Sequence, residues 1–119
     1  MTLAEEVNEL YTAIKEPLDR TPAGLMQELD NRGQWLARSA EILADAQILL
    51  DAKRGEVAES YFGTEESWNI IKHVIEAKCK DEKRLYLLAE RLNATLSRQL
   101  DGIRSLLSYE KEQMRNLSY

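Results

Sequence analysis

Residues 29–57 read LDNRGQWLARSAEILADAQILLDAKRGEV, and this stretch decides the fold. Leu29, Leu36, Leu43, Leu50 and Val57 recur at intervals of seven, with Trp35, Ile42 and Leu49 one residue earlier beside them. An apolar heptad sustained over four steps predicts a long helix that lays one face against another helix in coiled-coil fashion. Asp30-Asn31-Arg32-Gly33 has the composition of a turn. The heptad crosses it in phase, so a bend at 30–33 is expected, not a break.

Upstream, Thr21-Pro22 reads as an N-cap followed by proline at the first helical position, where the missing N–H costs nothing. Helix 2 is therefore placed at about 22–62. Before it, Thr2 and Glu5 form a T-x-x-E capping box, and Leu3, Val7, Leu10 and Ile14 share one helical face beside Tyr11. Pro17 disfavours helical geometry at Glu16, which ends helix 1, begun at residue 3, near residue 15. Downstream, Tyr61-Phe62-Gly63-Thr64 reads as a hairpin corner, with Gly63 left-handed and Thr64 capping the next helix. Trp68, Ile71, Ile75, Leu85, Leu88, Leu92, Leu96, Ile103, Leu107 and Met114 then follow helical spacing, predicting helix 3 over about 64–116. The polar run Lys78-Cys79-Lys80-Asp81-Glu82-Lys83-Arg84 interrupts that stripe, so a kink is expected near residue 80.

The whole reading is all-α: a long antiparallel helical hairpin plus a short N-terminal helix in one domain, 1–119. A chain of 119 residues with 44% hydrophobic content, two prolines and five glycines has room for one core and little reason to form sheet. The acidic N-terminus (Met1-Thr2-Leu3-Ala4-Glu5-Glu6) is unlike a signal peptide, and no apolar run reaches membrane-span length. With a single cysteine, Cys79, no internal disulfide can form. A soluble, cytoplasmic protein is the expectation.

If the two long helices turn about Gly63, level residues have numbers summing to about 126. Trp35 then sits level with Arg91 and Pro22 with Arg104. Helix 1 would cover Leu25–Leu36 and Ala89–Ile103, leaving the corner half as two bare helices. Such a pair buries little core, which predicts a homo-oligomer assembled through Leu43, Leu50, Val57, Ile71 and Ile75.

The net charge of -5 conceals an asymmetry. Residues 1–71 carry 14 acids and 6 bases, whereas residues 72–119 carry 7 acids and 10 bases. Lys80, Arg84, Arg91 and Arg98 form a basic stripe on helix 3. One reading is a track for the phosphates of a nucleic acid. The weightier one is pairing between helices, with Asp45 near Lys80 and Glu41 near Arg84. His73 and Glu76 share a face with Cys79 one turn on, but a single H-x-x-E supplies too few converging ligands for a metal. The single histidine has no serine or cysteine placed for nucleophilic catalysis. Trp35 and Trp68 read as core or interface anchors. Asn93-Ala94-Thr95 and Asn116-Leu117-Ser118 match the glycosylation sequon, which goes unused in a cytoplasmic helical protein. Phosphate loops, zinc-finger spacings and dinucleotide fingerprints are missing, so no catalytic residue, cofactor or metal is expected.

Two resemblances bear on function. Glu5-Glu6-Val7-Asn8-Glu9 resembles the E-E-x-x-E helix of the MazG-like all-α nucleoside triphosphate pyrophosphohydrolases. That resemblance implies a magnesium-dependent enzyme whose second acidic helix would be supplied here by Glu41 and Asp45, spaced E-x-x-x-D where that family has E-x-x-D. Separately, Trp68-Asn69-Ile70-Ile71-Lys72, Arg91-Leu92-Asn93-Ala94-Thr95-Leu96 and Ile103-Arg104-Ser105-Leu106-Leu107-Ser108-Tyr109-Glu110-Lys111-Glu112 look like small helical proteins of phages and prophages. With Trp35 through Leu50, the likeness spans roughly residues 34–114 and implies an accessory role, in some cases beside recombination or replication genes. It supplies no catalytic residue and no ligand. The leading expectation is a non-enzymatic scaffold that self-associates. A nucleic-acid-associated accessory protein comes second, and a metal-dependent hydrolase third.

Overall fold

A computed structural model describes residues 1–117. Four helices follow one another: α1 (Leu3–Ile14), α2 (Pro22–Glu59), α3 (Trp68–Lys78) and α4 (Lys80–Leu117). No strand occurs among the described residues. The molecule is a rod of 80 × 27 × 17 Å with a radius of gyration of 21.1 Å. A compact chain of this length would have about 14 Å, so the core is thin and drawn out along α2 and α4.

The local signals at the helix starts act as the sequence suggests. Thr2 accepts from the Glu5 amide at 3.2 Å, and Thr21 accepts from the Gly24 amide at 3.0 Å with Pro22 opening the helix. The Asp19 carboxylate accepts from both the Thr21 amide and its hydroxyl, which holds its pKa below the usual value. At the corner Gly63 has φ 82°, the left-handed conformation that ends a helix. Thr64 does not cap the next helix. Its hydroxyl donates to the Tyr61 carbonyl, and Ser67 takes the capping role at the start of α3.

Helix 3 of the sequence reading is two helices. At Cys79 the backbone leaves helical geometry (φ -104°, ψ 18°), although its N–H still reaches the Ile75 carbonyl and its carbonyl accepts from Lys83. The cause is the polar run: after Ile75 and Cys79, no apolar residue stands one turn on to continue their stripe. The bend returns Leu85 and Ala89 to the side facing α2. The corner takes up residues 60–67 and Cys79 interrupts the helix again, so chain is used without the axial advance of a helix. Arg32 therefore meets Gln99, Ser39 meets Asn93 and Arg54 meets Glu76, numbers that sum to 130–132 where a tight turn gives about 126.

The shift in register relocates α1. Val7 and Ile14 pack with Ile42, Ala46, Ala89, Leu92 and Leu96, so α1 covers the middle of the rod and not its open end. A second cluster, Leu50, Val57, Ile75 and Cys79, joins α2 to α3 near the corner.

The expected bend at 30–33 is absent; α2 runs unbroken from Pro22 to Glu59. Arg32, in the middle of that turn-like stretch, is 1% exposed. Its Nε donates to Glu28 at 2.7 Å, Nη1 to the Ile14 carbonyl at 3.2 Å and to Gln99, and Nη2 to the Glu16 carbonyl at 3.1 Å. The Trp35 ring lies 5.5 Å from the guanidinium carbon, a cation–π contact. Arg32→Ala should cost about 3–5 kcal/mol in urea unfolding, because it removes a buried side chain that donates to Glu28, Gln99 and two carbonyls, and leaves the Ile14 carbonyl with the Gln99 amide alone. A loss under about 1 kcal/mol would show that the seam does not depend on the guanidinium. Beside it, a Cβ on Gly33 would enter open space. Gly33→Ala should therefore stabilise the chain by about 0.5–1 kcal/mol, read in the same unfolding experiment.

Candidate functional site

Of the five residues expected at an oligomer interface, three are buried within the chain and two are half-buried. Leu50, Val57 and Ile75 are buried, Ile71 packs on their cluster, and Leu43 packs on the central one. α1 covers the centre, and the corner half is the expected pair, α2 with α3, but its facing side chains close over Leu50, Val57 and Ile75 without a third helix. Large apolar side chains are left outside elsewhere, among them Phe62 (79% exposed) in the corner, Trp68 (66%) and Ile70 (51%) at the start of α3, Ile48 and Leu49 along α2, and Tyr109 and Met114 toward the end of α4. Trp68 is thus no core anchor, whereas Trp35 is half-buried beneath Arg32.

The basic stripe is free. Lys80, Arg84, Arg91 and Arg98 are all exposed, and none makes an ion pair among the described residues. The expected partners were lost with the register, since Glu41 pairs with Arg38 and no bond joins Asp45 to Lys80. Lys80, Arg84 and Arg91 line one open groove on α4 with Leu87, which is 48% exposed. Glu76 at the head of that groove is already engaged by Arg54 at 3.2 Å and Lys83 at 3.3 Å. Its hydrogen bond from Lys83, against a smaller desolvation effect, holds its carboxyl below the ordinary carboxylate value. Arg91 stands close enough to α1 to act on the Tyr11 hydroxyl, whose pKa burial raises and Arg91 pulls back. That hydroxyl donates to the Leu88 carbonyl at 3.0 Å.

The acidic residues that resemble a hydrolase helix converge on a cation. Glu6 and Glu41 both bind Arg38, whose pKa their hydrogen bonds raise. A magnesium site needs carboxylates facing a common empty point, and here a guanidinium stands between them. Glu5, Glu9 and Asp45 are exposed around this pair. No group of three metal-capable side chains occurs among the described residues. His73 is exposed, Glu76 is engaged and Cys79 is buried, so those three do not meet either. The first sequon lies on α4, and Ser118 of the second lies outside the described residues. No helix among the described residues is long and apolar enough to cross a membrane.

Arg32, Gln99, Ser39 and Asn93 form the polar seam that the sequence reading passed over. A signal was present: Leu25, Arg32, Ser39 and Ala46 form a heptad of their own, hidden because two members are polar. The chain matches no family model, no curated protein and no solved structure.

Burial and the neighbouring Glu82 carboxylate push the Cys79 thiol above its ordinary pKa. Cys79 should therefore react with a maleimide at neutral pH only after denaturation, when the thiol is exposed and its pKa falls back. Rapid labelling of the folded chain would show that the α3–α4 junction opens readily.

Proposed function

We propose that the protein is a non-enzymatic helical scaffold that acts by associating with copies of itself. The observation that carries this reading is the exposure of three large apolar side chains, Phe62, Trp68 and Ile70, within nine residues of chain at the corner of a rod with a thin core. Large apolar side chains grouped on a surface mark contact sites, and tryptophan is the residue most often found at their energetic centre. Self-association covers them without asking more of a chain too narrow to fold them inside. The assembly surface is thus placed at the corner, in place of the buried heptad residues.

Sedimentation equilibrium at high micromolar concentration tests the proposal. The expected mass is a multiple of 13.7 kDa for the native chain and close to 13.7 kDa for Phe62→Ser/Trp68→Ser. A native chain that stays at 13.7 kDa overturns the reading. An unchanged multiple in the double variant moves the contact away from the corner.

A further inference from the structure

We infer that the basic row of α4 is the seat for the acidic outer row of α1 from a second copy of this chain. The inference rests on the self-association proposed above and names the charged residues that would meet in it. On α1 and the turn after it, Glu5, Glu9 and Glu16 follow one another at intervals of four and seven, and all three are exposed. On α4, Lys80, Arg84 and Arg91 have the same intervals in the same order, and all three are exposed. Glu16 lies two residues beyond the end of α1. The Lys15 and Glu16 amides bond to the Thr12 and Ala13 carbonyls three residues back, so the chain tightens into a final turn that keeps Glu16 beside the end of α1. Equal spacing on two helices gives Glu5 and Glu9 the same angular placement as Lys80 and Arg84, and Glu16, just past α1, prolongs the acidic row as Arg91 prolongs the basic one.

Direction and height also agree. Ala4, Val7 and Asn8 lie beside Arg84, Leu85 and Leu88, and the Ile14 carbonyl accepts from Gln99. Hence α1 and α4 run the same way, and the two rows occupy the same stretch of the rod. A two-fold axis parallel to the rod sets the acidic row of each copy against the basic row of the other, forming the contact twice. It covers Leu87, which stands between Arg84 and Arg91, and it leaves the two corners side by side at one end of the dimer.

The row suits a short acidic helix better than a nucleic acid. Asp81, Glu82 and Glu90 stand within a turn of its bases, and a duplex offering one phosphate charge about every 1.7 Å would meet them too. No aromatic side chain stands on the row for base stacking, since the nearby Tyr86 packs half-buried against the two core clusters.

The test is sedimentation velocity on the full-length chain, with helicity checked by circular dichroism. Arg84→Glu/Arg91→Glu and Glu5→Lys/Glu9→Lys should each weaken the dimer by about tenfold or more, and the chain carrying all four changes should recover it. The native dimer should also weaken as salt is raised from about 0.05 to about 0.5 M. A dimer that ignores both reversals yet dissociates with Phe62→Ser/Trp68→Ser overturns this inference and leaves the scaffold reading standing. A native chain that is monomeric throughout overturns both. If Arg84→Glu/Arg91→Glu abolishes binding of a short DNA duplex without moving the association, the row belongs to a nucleic acid and the inference falls.

Discussion

The guanidinium of Arg32, itself buried, meets Glu28 on its own helix, the Ile14 and Glu16 carbonyls at and just past the end of α1, and Gln99 on α4. Each of these groups would be expensive to bury alone. The last carbonyls of a helix have no partner within it, and α1 ends against the middle of the rod, where the Ile14 carbonyl is buried. Arg32 and the Gln99 amide supply the missing donors, with positive charge at the negative end of the α1 dipole. Three segments are thereby fixed at one point. Without it, the Glu16 carbonyl would lose its donor, the Ile14 carbonyl would keep only the Gln99 amide, and the end of α1 would lose its tie to α2.

One helical repeat along α2, the Ser39 hydroxyl donates to the Leu36 carbonyl at 2.8 Å and accepts from Asn93 at 2.9 Å. The seam between the long helices thus alternates polar and apolar layers. Purely apolar seams tolerate sliding, because one leucine replaces another with little loss. Here a slide by one turn separates Arg32 from Gln99 and Asn93 from Ser39, and each stranded buried group costs about 1–3 kcal/mol. Against a total stability of about 5–15 kcal/mol for a domain, two such layers suffice to select one register.

That register explains what could and could not be read from the sequence. The helix starts at Thr2 and Thr21, the proline at the head of α2 and the left-handed Gly63 were legible, because each depends on residues within a few positions of itself. The long α2 was legible from its leucines, and the interruption near residue 80 from its polar run. The register was not. It depends on how many residues the corner uses and on pairings 54 and 67 positions apart. An error of about five residues was enough to misplace α1 and to give Arg84 and Lys80 acidic partners they do not have. Leu50 and Val57 were assigned to the surface because two helices alone were expected to leave them open, whereas α2 and α3 bury them. Arg32 was hidden for a further reason: a charged residue inside a turn-like tetrapeptide reads as exposed unless its distant partners are known.

The ion pairs follow from the same geometry. Seven of the sixteen bases are in ion pairs among the described residues, and four of these, Arg32, Arg38, Arg54 and Lys83, take part in the packing of helix on helix. Nothing of the kind involves the row on α4, even though acids outnumber bases in the chain by 21 to 16. Random placement in so acidic a protein would bring carboxylates within reach of most arginines. Glu76, at the head of the groove, is held by Arg54 and Lys83, and Glu41, the partner expected for Arg84, by Arg38, while Asp81, Glu82 and Glu90 stand within a turn of the row without an ion pair to it. An arginine on a helix surface recovers little free energy from an exposed internal partner, so leaving the row open costs the fold almost nothing. The same charges, placed against a second helix and partly shielded from water, interact more strongly and confer direction and register on the contact. The rod therefore uses charge in two ways: buried or shared cations fix its own helices, and unshared ones remain outside, where only another molecule can meet them.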